Sequence, residues 1–282
     1  MTSVDGPYFG KIAILPTLHE KDSVIAPIFQ TELGIQVQVA DIDTDQFGTF
    51  AGEIPRTLSQ LDAAIAKARA AIASTGVPFA IASEGTIGPN PLIPIASSDL
   101  ETMVFVDSEQ DLVIHETYRS EEITSARRVL RPGDSLDDFL SLADFPAHAL
   151  IVRTEQTLAT TPVKGIRNRA VLVQAIQDLS GDSGSVIVES DLRASFSPSR
   201  MRNIAACARL LARRISSLCP KCNTAGWGSI SPVFGLPCAD CGSNVDSAVR
   251  SDQYGCGKCE HRQFFARAAT VAEARFCDSC NP

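Results

Sequence analysis

The chain has 282 residues, 44% of them hydrophobic and 21% charged, with a net charge of −8. That length accommodates more than one compact unit, and the composition excludes a disordered or collagen-like chain. No apolar run reaches membrane-spanning length, and the opening MTSVDGPYFGKIAIL has no basic stretch followed by an apolar core and cleavage site, so a cytoplasmic setting with no membrane partner is expected. The charge is uneven. Residues 1–159 carry 10 basic and 23 acidic side chains, and residues 160–282 carry 15 and 10. An acidic body and a basic tail are compatible with nucleic-acid contact by the tail, and equally with an ordinary surface imbalance.

Residues 11–15 (KIAIL) read as a strand. Residues 20–33 read as a helix kinked at Pro27 and closed by Gly34, and 35–39 (IQVQV) as the next strand. An acidic loop follows. Its Asp41, Asp43, Asp45 and Glu53 suit either a solvated surface or a hard cation, without EF-hand spacing. Residues 60–75 form an Ala-rich helix with Ser59 as N-cap and Gly76 at its end. A short strand at 79–82 runs into SEGTIGPNPLIP. Residues 102–107 and 111–117 make a hairpin, 135–143 a short helix and 147–152 a strand. Residues 154–165 read as a linker, 166–179 as a helix and 185–189 as a strand. The last helix, 198–217, starts with Ser197 as N-cap and Pro198 at its first position, and carries five arginines toward Cys219. The expectation is an α/β protein: a mixed-sheet body over 1–158, a helix–strand–helix region over 159–217 and a double zinc ribbon over 218–282.

The ribbon rests on four Cys-x-x-Cys pairs: Cys219/Cys222, Cys238/Cys241, Cys256/Cys259 and Cys277/Cys280. A two-residue gap lets two thiolates converge on one ion, and eight thiolates suffice for two closed structural zinc sites. Spacers of 15, 14 and 17 residues separate successive pairs. Sequential pairing is favoured because each unit then closes a short loop. Pairing of the middle two, or interleaved pairing, stays open. A reduced cytoplasm argues against disulfides, and iron in a thiolate site is a minor option. His261 is an exposed residue or a substitute ligand, Trp227 a packing residue and Cys207 a small core residue.

In the body, Asp62 and Lys67 stand about 140° apart around their helix. Ser83-Glu84-Gly85 follows a buried strand, where α/β sheets often bind ligands, or it is a plain polar turn. The order of an N-terminal strand, Thr17-x-His19-x-Lys21, helix, strand, Gly48-Thr-Phe loop, Lys67-Ala68 helix and IASEGTIG resembles the nucleotide pyrophosphatases of the Maf and inosine/xanthosine triphosphatase types. That resemblance implies a nucleotide or nucleotide-like substrate bound by Thr17, His19 and Lys21, with Lys21 facing the triphosphate. It also implies catalysis by Glu84, Asp62 and Lys67, with Mg²⁺ as cofactor. His19 stands where that family has Asn, Lys21 comes one residue early, and Glu84 is single rather than paired.

The segments FGTFAGEI, IASEGTIGPNP, ESDLRASFSPSRM, GLPCADCG and CDSCNP are similar to an uncharacterised bacterial family. That resemblance implies no activity. Glu189, Asp191 and Arg193 share one side of a continuing strand, as a phosphate or metal site or, preferably, a structural ion-pair network. Gly181-Asp-Ser183-Gly imitates a serine-protease motif, but a helix–strand turn explains it. His115 and His148 read as satisfied packing residues. Three functions remain: a phosphohydrolase, a nucleic-acid-binding module, and an adaptor that meets a protein partner through its ribbons.

Overall fold

The computed structural model describes residues 6–17, 19–42, 58–90, 97–154, 161–181 and 184–282. The protein is a mixed α/β structure with two C-terminal clusters of four cysteines. It opens with β1 (Ile12–Pro16), α1 (Asp22–Leu33), β2 (Gln36–Ala40) and α2 (Gln60–Thr75). Pro27 lies inside α1, and Gly34 ends it with a left-handed φ of 68° that an L side chain rarely adopts. Ser59 caps α2 by accepting from the Asp62 amide at 3.1 Å. Then come β3 (Phe79–Pro89), β4 (Ser97–Asp107) and β5 (Leu112–Ser120), which complete a mixed sheet in the order β2-β1-β3-β4-β5. β1 is parallel to β2 and β3; β3, β4 and β5 form an antiparallel meander.

The polar stretch after residue 82 is strand rather than turn, because β4 pairs with β3 through Pro89. Ile14 aligns with Ala80, so β3 runs on past the end of β1 at Pro16. Side chains alternate accordingly. Phe79 and Ile81 join one apolar core with α1 and α5 (Pro198–Ser216), while Ala80 and Ala82 join another under α2. α1 and α2 thus cover opposite faces, and a topological switch point opens at the carboxyl end of β1.

A second sheet, order β6-β9-β7-β8, holds β6 (Arg127–Leu130), β7 (Leu150–Arg153), β8 (Val163–Ile166) and β9 (Val186–Ser190). Neither β6 nor β8 was legible as a strand; β8 lies in the expected linker. Helices α3 (Asp137–Leu142) and α4 (Arg169–Ser180) cover this sheet with a third apolar core. α5 buries Ile204, Cys207, Ala208, Leu211, Ala212 and Ile215 at helical spacing against the first sheet. The tail is an antiparallel meander of β10 (Gly228–Pro237), β11 (Asn244–Gly255) and β12 (Arg262–Ala266). No helix among the described residues is long and apolar enough to cross a membrane.

Candidate functional site

The meander decides how the cysteines pair. Each strand separates two knuckles, and ten residues of β10 extend roughly 33 Å, so successive knuckles cannot share an ion. Because the strands reverse, the first and third knuckles meet at one end and the second and fourth at the other. Cys219, Cys222, Cys256 and Cys259 form one group; Cys238, Cys241, Cys277 and Cys280 form the other. The pairing is interleaved, which corrects the sequential arrangement favoured from loop length. Loop closure grows slowly with length and is easily outweighed by strand geometry.

Sulfur separations of 3.8 and 3.5 Å in the first group, and 3.9 and 3.6 Å in the second, match a tetrahedron with metal–sulfur bonds near 2.3 Å, whose edges are about 3.8 Å. A disulfide would need about 2 Å. Backbone amides of Lys258 and Cys259 point at Cys256 Sγ, and that of Asp240 at Cys238 Sγ, as thiolate acceptors require. The donor sets therefore fit two closed metal sites. His261 is outside both; it stacks on Trp227, with ring centres 5.1 Å apart. Trp227 packs against Cys219 and Cys256, and Cys207 is a fully buried core residue.

The switch point gathers the charged residues of the body. Lys21, at the end of the loop carrying Thr17 and His19, donates to Ser83 Oγ at 3.0 Å. The His19 amide points at Thr17 Oγ1, at 3.3 Å. Lys67 reaches from α2 to form an ion pair with buried Glu84. On the other face, Arg200 Nε donates to Glu101 Oε1 at 2.7 Å, with both side chains buried. A Cβ on Gly85 would overlap the ends of the Glu101 and Arg200 side chains, so any larger residue there would have to displace that ion pair. Desolvation, then the Arg200 charge, draws the Lys21 amine down to about 8. Burial, then the Glu101 charge, pushes the Asp99 carboxyl up to about 7.

Lys21, Lys67 and Glu84 thus sit beyond the carboxyl end of β1, beside the middle of β3. Asp62 belongs to the helix cap, its carboxylate accepting from Ser59 Oγ at 2.6 Å. Asp43, Asp45, Glu53 and the Gly48-Thr-Phe segment lie outside the described residues, as does Ser183. Sequence reasoning alone does not bring Asp99, Glu101, Arg200, Asn203 and Gln60 together. A signal existed: Asp99 and Glu101 alternate just before the apolar run TMVFV, and Arg200 and Asn203 share the inner face of α5. Gln60 ties α2 to the sheet by donating to the carbonyls of Glu84 and Leu100.

Two other constellations are architectural. Glu189 pairs with Arg153 and Arg127, and Asp191 with Arg193 and the Gly165 amide, tying sheet to loop. His148 contacts Asp144 Oδ2 at 2.8 Å and Ser199 Oγ at 2.9 Å, an order seen in acyl-transfer triads. Ser199 is only 1% exposed and its hydroxyl already accepts from the Thr124 amide, so the group ties the start of β7 to α5.

The fold and the two cysteine centres define an α/β protein whose tail carries two four-cysteine clusters that could hold metal ions. The chain belongs to the family of a domain of unknown function, DUF6671, whose model matches residues 67–282. No curated protein matches it.

Proposed function

We propose that this protein binds the phosphate of a nucleotide or nucleotide-like molecule at the switch point and hydrolyses it, while zinc in the two cysteine centres is structural. A cytoplasm that keeps thiols reduced belongs to the same reading. The observation that carries it is Lys21. Lys67 and Arg200 each have a carboxylate of their own, Glu84 and Glu101. Among the described residues no carboxylate lies in ion-pair reach of Lys21, a half-buried ammonium held only by Ser83. A cation so placed favours an anionic ligand, and carboxyl ends of strands at a switch point are where such ligands dock.

Mg²⁺ fits less well. Among the described residues Glu84 is the carboxylate nearest that role, and Lys67 already occupies it, while Asp62 is committed to its cap. Those residues do not compose a Mg²⁺ site. The chain's own part is then to hold the phosphate by Lys21, with Lys67 and Arg200 adding positive charge nearby. The test is turnover of canonical and deaminated nucleoside triphosphates, with Mg²⁺ or Mn²⁺ supplied. Activity that falls at least about 100-fold in Lys21→Met and in Glu84→Gln supports the reading; a flat panel defeats it.

A second reading has its own observation. Arg202, Arg209 and Arg213 are exposed and align along the outer face of α5. They suit a nucleic-acid backbone or an acidic protein partner. Residues 219–282 carry six basic and six acidic side chains, so the ribbon adds no attraction of its own. Binding to RNA or DNA that weakens steeply with salt would favour it. Exposed Phe264, Phe265 and Phe276 on the tail suit a protein partner instead.

A further inference from the structure

Asp99 and Glu101 are two residues apart on β4, so both project from one face of the strand. Both are fully buried. One oxygen of each is satisfied: Asn203 Nδ2 donates to Asp99 Oδ2 at 2.9 Å, and Arg200 Nε donates to Glu101 Oε1 at 2.7 Å. The other oxygens, Asp99 Oδ1 and Glu101 Oε2, have no donor among the described residues. Yet the two carboxyl groups lie within hydrogen-bond reach of each other. Ionised carboxylates only accept, so two of them cannot satisfy one another. One proton between them supplies the missing donor and removes the like-charge repulsion.

Among the described residues the neighbours offer no second ion-pair partner to the two carboxyl groups. Across the sheet, β3 places Gly85 and Ile87 opposite Glu101 and Asp99, and β5 places Tyr118 and Ser120 there. From α5 come Arg200, Asn203 and Cys207, whose thiol points at the Glu101 carbonyl. Glu122 contributes only its carbonyl, to Asn203. Lys21, from the start of α1, feels the charges of Arg200 and Glu101 but bonds to Ser83.

We propose that Asp99 and Glu101 hold one shared proton, and that this proton keeps the switch-point cluster net positive and therefore receptive to a phosphate-like anion. The inference rests on the anion-site reading above. With the proton in place, Lys21, Lys67 and Arg200 face Glu84 and Glu101; without it the charges balance. Asp99 is a positioning residue, not a catalytic one, because it is sealed from any ligand. Asp99 ionises at about 7 and Lys21 loses its charge at about 8. Anion affinity is therefore fullest below neutrality and falls in two steps as pH rises. Each lost unit charge weakens binding on the order of tenfold.

Two measurements on the full chain test this. Infrared spectra of the wild type should show a protonated-carboxyl C=O band that fades as pH rises through neutrality and is missing in Asp99→Asn. Calorimetric titration with sulfate, whose own charge is constant from about pH 6 to about pH 9, should show both steps. Asn keeps a donor for Glu101 and cannot ionise, so Asp99→Asn should lose the lower step only. Lys21→Met should lose the upper step. A wild type without the band, or an Asp99→Asn profile identical to wild type, overturns the shared proton. Absence of sulfate binding at every pH overturns the anion site, and with it the role given to the proton. The band then decides separately whether the proton is there, and the wild type alone suffices if Asp99→Asn fails to fold.

Discussion

The two cysteine centres have the same ligands and similar sulfur spacing, yet they are held in different ways. The centre of Cys219, Cys222, Cys256 and Cys259 is stitched to the body. Arg214 of α5 donates to the carbonyls of Gly226 at 2.7 Å and Ser229 at 2.8 Å, and pairs with Glu116 of β5. A Cβ at Gly226 would lie 2.8 Å from Ile114, and one at Gly257 would lie 2.9 Å from Leu112, so both knuckles press on the β5 strand. Lys258 reaches the Gln110 carbonyl, and Ala225 is part of the main core. The centre of Cys238, Cys241, Cys277 and Cys280 instead packs on its own small cluster of Leu236, Val245 and Ala272. Two like sets of four cysteines are thus joined to the main core in one place and only to a local cluster in the other.

That contrast can be broken. With zinc bound, Cys256→Ser should lower the stability of the entire chain by several kcal/mol and raise hydrogen exchange in β4, β5 and α5. Cys277→Ser should leave those elements protected and loosen only the far end of the ribbon. Zinc content measured by mass spectrometry should drop from two ions per chain to one in each variant. Equal exchange in the body for both variants would show that the stitching is cosmetic.

Arginine replacements at the two ends of α5 sharpen it next. Arg200→Met leaves Glu101 buried without its cation and should cost about 3–5 kcal/mol in urea unfolding. Arg214→Met acts at the metal end, where the pair is only partly buried, and should cost about 1–2 kcal/mol. A reversal of that order would place the anchor of α5 at the cysteine centre.

The pH dependence of stability separates body from ribbon. The Asp99 carboxyl is pushed up to about 7 from the ordinary 3.8, chiefly by burial. Its folded form holds the proton more tightly than its unfolded form. The stabilisation is therefore complete below about 4 and is lost as pH rises through about 7. Asp99→Asn should flatten that part of the unfolding curve, and an unchanged slope would assign it to other groups. The smallest effect is expected from Lys258→Ala at the exposed stitch: about 0.5 kcal/mol or less.

Legibility tracked locality. α2 runs from Gln60 to Thr75 with its Ser59 cap and Gly76 stop, all written within 18 consecutive residues. Glu189, Asp191 and Arg193 are readable as a charged cluster because charge alternates beside a β-run, but Arg153, the partner of Glu189, lies 36 residues away. β6 and β8 are not legible because RRVL and VKGI are short and lack the apolar run that marks the equally short β7. β3 looked shorter than it is: SEGTIGP has turn composition, and only pairing with β4 holds it extended. Arg200 was visible as a helix arginine, but its partner Glu101 lies 99 residues away.

The sequence by itself determined the eight cysteines of the two clusters, the boundaries of α2, the start of α5 and the α/β class. Each follows from spacing or capping within a short window, where a residue's chemistry acts on its immediate neighbours. Tertiary structure alone decided which cysteines share a centre, because strand reversal sets which ends meet. It likewise decided that Lys21 bonds to Ser83 rather than forming an ion pair among the described residues, while Asp99 and Glu101 face each other, because burial and long-range pairing fix which charges meet.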